Sequence, residues 1–553
     1  VAETTSTLPA PLHPVPPSAW RLDWLTPMRC RLILALFVLV GFAGHLIWLQ
    51  SKSCPIDLSG DEAHYWDWSR QLDLAYYSKG PAVAYIIRAS CAVFGDTMWA
   101  VRLPALLFAA VISVLAYWLT RKCFGSDKLA LGAALLPAAV PMFVAGSTLM
   151  TIDPPMLTCW AAATCLTAVA VLDDRRWPWP LVGLFAGLGA LAKYGMLLWF
   201  VGLAVLLFVD KPLRKHLKSP LFWLMPLIAL ACLTPVIVWN ARHGWVTFGH
   251  VGTQTGALSD GSRKLWLNPL NTLEMLGGQL GALNPIIAFF AMAACGFATL
   301  RAFTPDREGR ALRMLLATGA TFFALNLLAS LRTKIQVNWP APSYFTLLII
   351  TAWGVGLMLR DRELWRKLRG WWWGGVIGVG VVATVLLHNM PLIYPLVPAS
   401  PRNYDPTVGK MVGFRELGKR LSWELEDSRP GTFILCEDYQ VAAQAAFYTR
   451  GQPRTYYASS WFANPQFRRR LTQYDVWPDR ALDQPSLIGR DALYVGYVWS
   501  DEGDNHELLS AFDSVDKLYD EEIERNGVKV RRFLIARCHN FRGLTRPEGR
   551  PKM

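Results

Sequence analysis

Charge is scarce in this chain. Asp, Glu, Lys and Arg make up 17% of its 553 residues, against 53% hydrophobic, a balance that points away from a water-soluble globule. Its ten cysteines contain no Cys-x-x-Cys pair, and most lie inside apolar stretches, where Cys behaves as a small hydrophobe. A metal cluster is therefore not expected. No small-residue cleavage site closes the first apolar run, so that run reads as a signal-anchor helix behind a Pro-rich arm. We find no internal repeat of the kind that many transporters carry. Beyond about residue 395 no stretch is apolar enough to cross a bilayer.

What is abundant is apolar runs of about 17–25 residues, the length that spans ~30 Å of hydrocarbon. They fall near 32–50, 98–120, 128–146, 154–172, 179–196, 197–209, 219–238, 275–300, 313–331, 341–359 and 371–388. This predicts an all-α polytopic membrane domain of eleven transmembrane helices, with thirteen as the alternative count. The 25 Trp and 17 Tyr crowd the ends of these runs, at headgroup level, and need no ligand to explain them.

The formal charge of +14 does not imply nucleic acid, because the basic residues gather in alternate short loops. Arg121-Lys122, Arg175-Arg176, Lys211 with Arg214-Lys215, Arg301 with Arg307 and Arg310, and the run from Arg360 to Arg369 fall on one side. That side holds roughly twice the Lys plus Arg of the longer loops opposite, which places it in the cytoplasm. The expected order is a disordered cytoplasmic arm (1–30), a membrane domain (31–390) with an outer first loop (51–97), and an outer α/β domain (391–553). In the last, 431–438, 454–457, 492–497 and 528–536 read as strands and 441–450 as a helix. Cys436 and Cys538 lie outside in this topology, where a bridge between them is one option. The segment 82–94 is too short to span and carries Arg88, so it reads as an interfacial helix.

Asp61-Glu62-Ala-His64-Tyr65-Trp66 follows the first apolar run, with Tyr76-Tyr77-Ser-Lys79-Gly-Pro81 behind it. Carboxylates and a cation beside lipid are costly and point to chemistry. Asp61 alone could be a helix cap, as could Asp153 before Pro154, and Lys193 could snorkel. Arg242, His243 and His250 add donors, and Arg332 and Lys334 precede Asn338-Trp-Pro340. Several cations with two carboxylates at one membrane face suit a phosphate-headed, lipid-tailed substrate. The cations would hold phosphate oxygens while a carboxylate takes a proton from an acceptor.

These motifs, together with Thr151-Ile-Asp153-Pro-Pro, Leu191-Ala-Lys193-Tyr-Gly, Trp239-Asn-Ala-Arg-His243-Gly-Trp and Lys334-Ile-Gln-Val-Asn338-Trp-Pro340, resemble those of the GT-C membrane glycosyltransferases. The likeness is to the bacterial branch related to protein mannosyltransferases and to the lipid A aminoarabinose transferase. It implies inverting transfer of a sugar from a polyprenyl-phosphate donor to a cell-envelope acceptor, at the periplasmic face of a bacterial inner membrane, by a monomer. By that resemblance Asp61 is the general base or an acceptor-orienting acid, Asp153 a second acid, and Lys79 a donor-phosphate contact joined by Lys193, Arg242, His243 and Lys334. Glu62, His64, Tyr65, Tyr76, Tyr77 and Asn338 would line the cavity. Two positions depart from the pattern. Ser78 stands where an acid typically precedes the loop lysine, with Gly80 inserted before Pro81, and His64 stands where Arg is common. No cofactor is called, and a metal site built on that missing acid is disfavoured. A transporter or lipid flippase is the rival reading, and a receptor with an outer sensing domain a third.

Overall fold

The structure, a computed structural model, describes residues 24–254, 267–358, 367–368, 370–397, 399–405, 407–461, 471–497 and 510–544. Residues 1–23 of the expected N-terminal arm, together with Arg360 and Arg369, lie outside these residues, while its last four residues, 27–30, already belong to the first long helix.

Six helices are long and apolar enough to cross a membrane: Pro27–Gln50, Met98–Phe124, Asp153–Leu172, Pro220–Arg242, Arg307–Ser330 and Ala341–Met358. Four further pairs qualify only together, bent by 78° to 117° at a break. Pro141, Pro212, Pro285 and Pro391 each sit in the first turn after such a break. There the ring's fixed φ suits a new helix start and its missing N–H cannot continue the old one. The remaining apolar helix of the bundle, Pro178–Ala192, has 15 residues. On Pro27–Gln50 only Cys30, Leu34 and Leu49 are buried, while Leu32, Leu36, Leu39, Val40 and Ile47 are exposed. An apolar face this bare is compatible with lipid and not with water.

Between the first two long helices lie two short ones, Gly60–Ser69 and Ala82–Phe94. Ser59 starts the former with a capping box. Its hydroxyl accepts from Glu62 N, and the Glu62 carboxylate accepts from Ser59 N at 2.9 Å. The cap is thus Ser59, and Asp61 is released from that duty.

The C-terminal part contains a five-stranded sheet of β1 (Phe433–Cys436), β2 (Thr455–Tyr457), β3 (Ala492–Tyr497), β4 (Phe512–Arg525) and β5 (Val528–Phe541), in the order β2-β1-β3-β5-β4. β2, β1 and β3 run parallel, with the helix Tyr439–Tyr448 crossing between β1 and β2. β4 and β5 form a hairpin around Asn526-Gly527, both at positive φ, as a tight two-residue turn requires. β4 has no counterpart in the sequence reading, since acids occupy much of it. Such charge suits an edge strand.

The two sheet faces feed different cores. One joins Ile434, Cys436, Leu493 and Val495 to Trp66, Tyr76, Val83 and Val101 of the membrane part, so the first loop and the sheet domain share one interior. The other holds Phe433, Leu435, Ala492 and Cys538. Cys436 and Cys538 therefore face opposite ways, on strands separated by β3. Two strand spacings, about 9–10 Å, exceed the reach of a disulfide. The bridge is excluded, and both thiols are free.

Candidate active site

Nine of the ten residues of the Gly60–Ser69 helix are buried, and the exception is Asp61. Buried polar contacts fix the helix. Asp67 Oδ2 accepts from the Tyr474 hydroxyl at 2.8 Å and Oδ1 from Arg480 at 3.1 Å, both from the sheet domain. In the preceding segment Asp57 pairs with Arg415 at 2.9 Å and accepts from Phe414 N at 2.7 Å. Burial pushes the Asp57 carboxyl up, and Arg415 offsets this only in part.

Asp61 borders a cavity of about 640 Å³ between the first loop, the ends of the long helices and the sheet domain. Lys79, Asp153, Lys193, His64, Tyr65, Tyr77 and Asn338 also line it, so eight of the residues expected at the site meet there. Asp153 opens its helix as the first residue, where the positive end of the helix dipole favours a carboxylate. Its Oδ1 accepts from Lys193 Nζ at 2.6 Å and its Oδ2 from Asn338 Nδ2 at 2.7 Å. Lys193 reaches it because the chain leaves the helix at this residue in an extended conformation (φ −148°, ψ 122°). Lys79 arrives in a turn closed by Tyr76 N donating to Lys79 O at 3.0 Å. Gly80 lies so close to the Leu191 carbonyl that a Cβ would overlap it. The inserted glycine is what lets the Lys79 turn pack against the segment that carries Lys193.

Five expected members lie elsewhere. Glu62 is fully buried and bound by Arg102, with Met150 N adding a hydrogen bond at 2.9 Å. It ties the first loop to the long helix Met98–Phe124 and to the segment before Asp153. Burial opposes its ionisation, but Arg102 and the N–H groups of Ser59 and Met150 prevail and hold the carboxyl below the usual range. Tyr76 is buried too, stacked on Trp68 at 4.3 Å with its hydroxyl donating to backbone carbonyls. Lys334 pairs with Glu274 at 3.0 Å on the surface. Arg242 is exposed outside the cavity lining, and His243 stacks on Trp239 at 4.0 Å. Trp239 in turn donates to Asp73 at 2.7 Å, and Thr247 to Tyr76 O at 3.1 Å. The Trp239–Trp245 motif thus anchors the first loop from behind.

His250, one of the donors the sequence offered, lines the cavity, and Lys410, Tyr439, Gln440, Thr472 and Gln473 join it without having been assigned a role in the sequence. His250 packs on Tyr77 at 5.1 Å, and Gln473 Oε1 accepts from Tyr77 N at 2.7 Å. Lys410, Tyr439, Gln440, Thr472 and Gln473 come from the sheet domain or the segment leading to it, hundreds of residues from the motifs around Asp61 and Asp153. Among the described residues three lysines, Lys79, Lys193 and Lys410, face two carboxylates in this cavity. A dianionic headgroup would find charge-assisted donors there, and Asp61 remains open to an incoming hydroxyl.

This fold and arrangement resemble those of the GT-C membrane glycosyltransferases. The sequence profile of the dolichyl-phosphate-mannose-protein mannosyltransferases matches residues 78–239. The chain is 27% identical over 403 residues to the lipid A galacturonosyltransferase RgtD of Rhizobium johnstonii, covering 71% of this chain and 78% of that protein. It is 29% identical over 256 residues to the undecaprenyl phosphate-alpha-4-amino-4-deoxy-L-arabinose arabinosyl transferase of Pseudomonas aeruginosa. That match spans 43% of this chain and 46% of the relative. In fold it matches ArnT from Cupriavidus metallidurans, solved bound to undecaprenyl phosphate. The TM-score is 0.60 at 16% identity, over 92% of this chain and 97% of the other.

Proposed function

We propose that the chain is a polyprenyl-phosphate-dependent glycosyltransferase that modifies a lipid A-type envelope acceptor. The observation that carries this reading is the single cavity shared by an exposed Asp61, the Asp153–Lys193 pair and Lys79. Relatives that act on lipid A and a fold match solved with undecaprenyl phosphate support the chemistry.

In the reaction the donor phosphate lies against Lys79 and Lys193, and an acceptor hydroxyl approaches the anomeric carbon from the opposite side. Asp61 takes the hydroxyl proton as the new C–O bond forms. The bond from C1 to the phosphate oxygen breaks, and polyprenyl phosphate leaves with the electron pair, its charge stabilised by the lysines. Attack opposite the leaving group inverts the anomeric centre. Asp153 acts through Lys193, holding the ammonium in place.

The orientation that fits the charge of the loops puts this cavity and the sheet domain (391–553) in the periplasm, with the membrane domain (31–390) crossing the inner membrane eleven times as a monomer. Mass spectrometry of lipid A and envelope glycans from cells with and without the gene tests the function. A sugar-sized mass difference on lipid A is expected, and identical envelopes would overturn it. Cysteines placed at Ser486 and at Lys211 test the sidedness. Only the former should react with a membrane-impermeant maleimide in intact spheroplasts, and the reverse pattern would refute the orientation.

A further inference from the structure

The sheet domain does more than cover the cavity, because one of its residues touches a candidate acid. Gln440 Nε2 donates to Asp61 Oδ1 at 3.0 Å. An ionised carboxylate can only accept, so the nitrogen of this amide, not its oxygen, must face Asp61. The same nitrogen also lies 3.2 Å from the Tyr439 hydroxyl, which uses the second N–H.

The Gln440 backbone is fixed as well. Asp438 caps its helix and accepts from Gln440 N at 2.7 Å. The side-chain stem rests on Gly60, where a Cβ would overlap it. Asp61 and Gln440 are therefore neighbours by close backbone approach. Gln444, one turn on, donates to Leu58 O at 2.7 Å, and the Tyr448 hydroxyl accepts from Leu58 N at 2.7 Å, so the helix holds the start of the first loop along its length. Asp61 Oδ2 makes no hydrogen bond to any described residue.

We propose that Gln440 is a positioning residue for Asp61: it pins Oδ1 and leaves Oδ2 aimed into the cavity, which makes the docked sheet domain part of the active site. This rests on the reading of Asp61 as the base. A carboxylate held at one oxygen presents the other in a fixed direction, and misplacing a reacting group by about 1 Å costs up to about 100-fold in rate.

Three full-length variants test it: Gln440→Glu, which keeps shape but replaces the donor with an oxygen; Gln440→Met, which keeps length without a polar group; and Tyr439→Phe, which frees the second N–H. Three quantities are compared: the rate of lipid A modification in membranes at equal protein level, the affinity of the purified protein for undecaprenyl phosphate, and the thermal midpoint. Both Gln440 variants should transfer at least about tenfold more slowly, with undecaprenyl phosphate affinity within about twofold and an unchanged midpoint. Tyr439→Phe should fall between them and the wild type, and it decides the matter if the Gln440 variants do not fold. A wild-type rate in folded Gln440→Glu, or a rate loss matched by lost affinity or stability, overturns the proposal. Full activity in Asp61→Asn would instead overturn the base assignment. An inactive Asp61→Asn beside a fully active Gln440→Glu would remove only the positioning role.

Discussion

Arg102 grips both carboxylate oxygens of Glu62, at 2.9 and 2.8 Å, with both side chains completely buried. Asp61, one residue earlier on the same helix, is exposed. Adjacent acids thus do opposite work, because the helix turns one toward the interior and the other toward the cavity.

Asp61→Asn keeps that shape and removes the proposed base. Transfer to lipid A should fall by about 10²- to 10⁴-fold, the usual contribution of a general base, while the thermal midpoint and undecaprenyl phosphate binding stay near wild type. Rate and binding measured on one preparation check both halves.

Glu62→Gln should act on stability instead. It leaves the buried Arg102 guanidinium without its counter-charge, a loss on the order of 3–5 kcal/mol, read as a lowered thermal midpoint. The pH dependence follows from the direction of the shift. Glu62 is more acidic folded than unfolded, so its contribution is fully present above the ordinary carboxylate value of about 4.3 and is lost as pH falls through the folded value. Midpoints scanned from pH 7 to pH 3 should drop on the acid side in the wild type, with a shallower drop in Glu62→Gln.

Lys193→Met should weaken undecaprenyl phosphate binding by about 10- to 100-fold, equivalent to the ~1.5–3 kcal/mol of a charged hydrogen bond. Among the described residues Asp153 then keeps only Asn338 as a partner of its carboxylate. Titration of the purified variant with undecaprenyl phosphate gives the answer directly.

Gly80→Ala introduces a Cβ that overlaps the Leu191 carbonyl. The Lys79 turn must move away from Lys193, and transfer should fall at least about tenfold, the scale on which a 1 Å misplacement acts. A wild-type transfer rate would show that the close approach is dispensable.

All ten cysteines are free, so the intact mass should be the same under reducing and non-reducing conditions. Burial pushes the Cys538 thiol up to about 12 and Cys436 higher still. Iodoacetamide at pH 8 should spare both until the protein is unfolded, because the thiolate is the reactive form. Peptide mapping before and after denaturation distinguishes the two states.

Much of the fold was legible because its signals are local. Each apolar run from 32 to 388 can be read without its neighbours, whereas the bends within 127–148 and 269–301 were not legible, since Pro104, Pro226 and Pro235 sit inside unbroken helices. Nor was β4, since a strand rich in acid looks like a loop until β5 pairs with it. Asp61, Lys79, Asp153 and Lys193 stood out as charges beside helix ends in an apolar chain. The true place of Glu62 was also within reach, as Ser59-Gly-Asp-Glu62 is a capping box in sequence. Arg102, its other partner, sits inside an apolar run and gave no sign.

By itself the sequence determined a polytopic helical protein and four charged residues that prove to share one cavity. Only the tertiary structure decided that Glu62, Tyr76, Arg242, His243 and Lys334 lie off the cavity, and that Gln440 lies on it. The reason is that helix periodicity and apolar length are properties of neighbouring residues. Whether a carboxylate meets an arginine, a glutamine or open space depends on chain segments up to 413 residues apart, brought together by burial of a shared core.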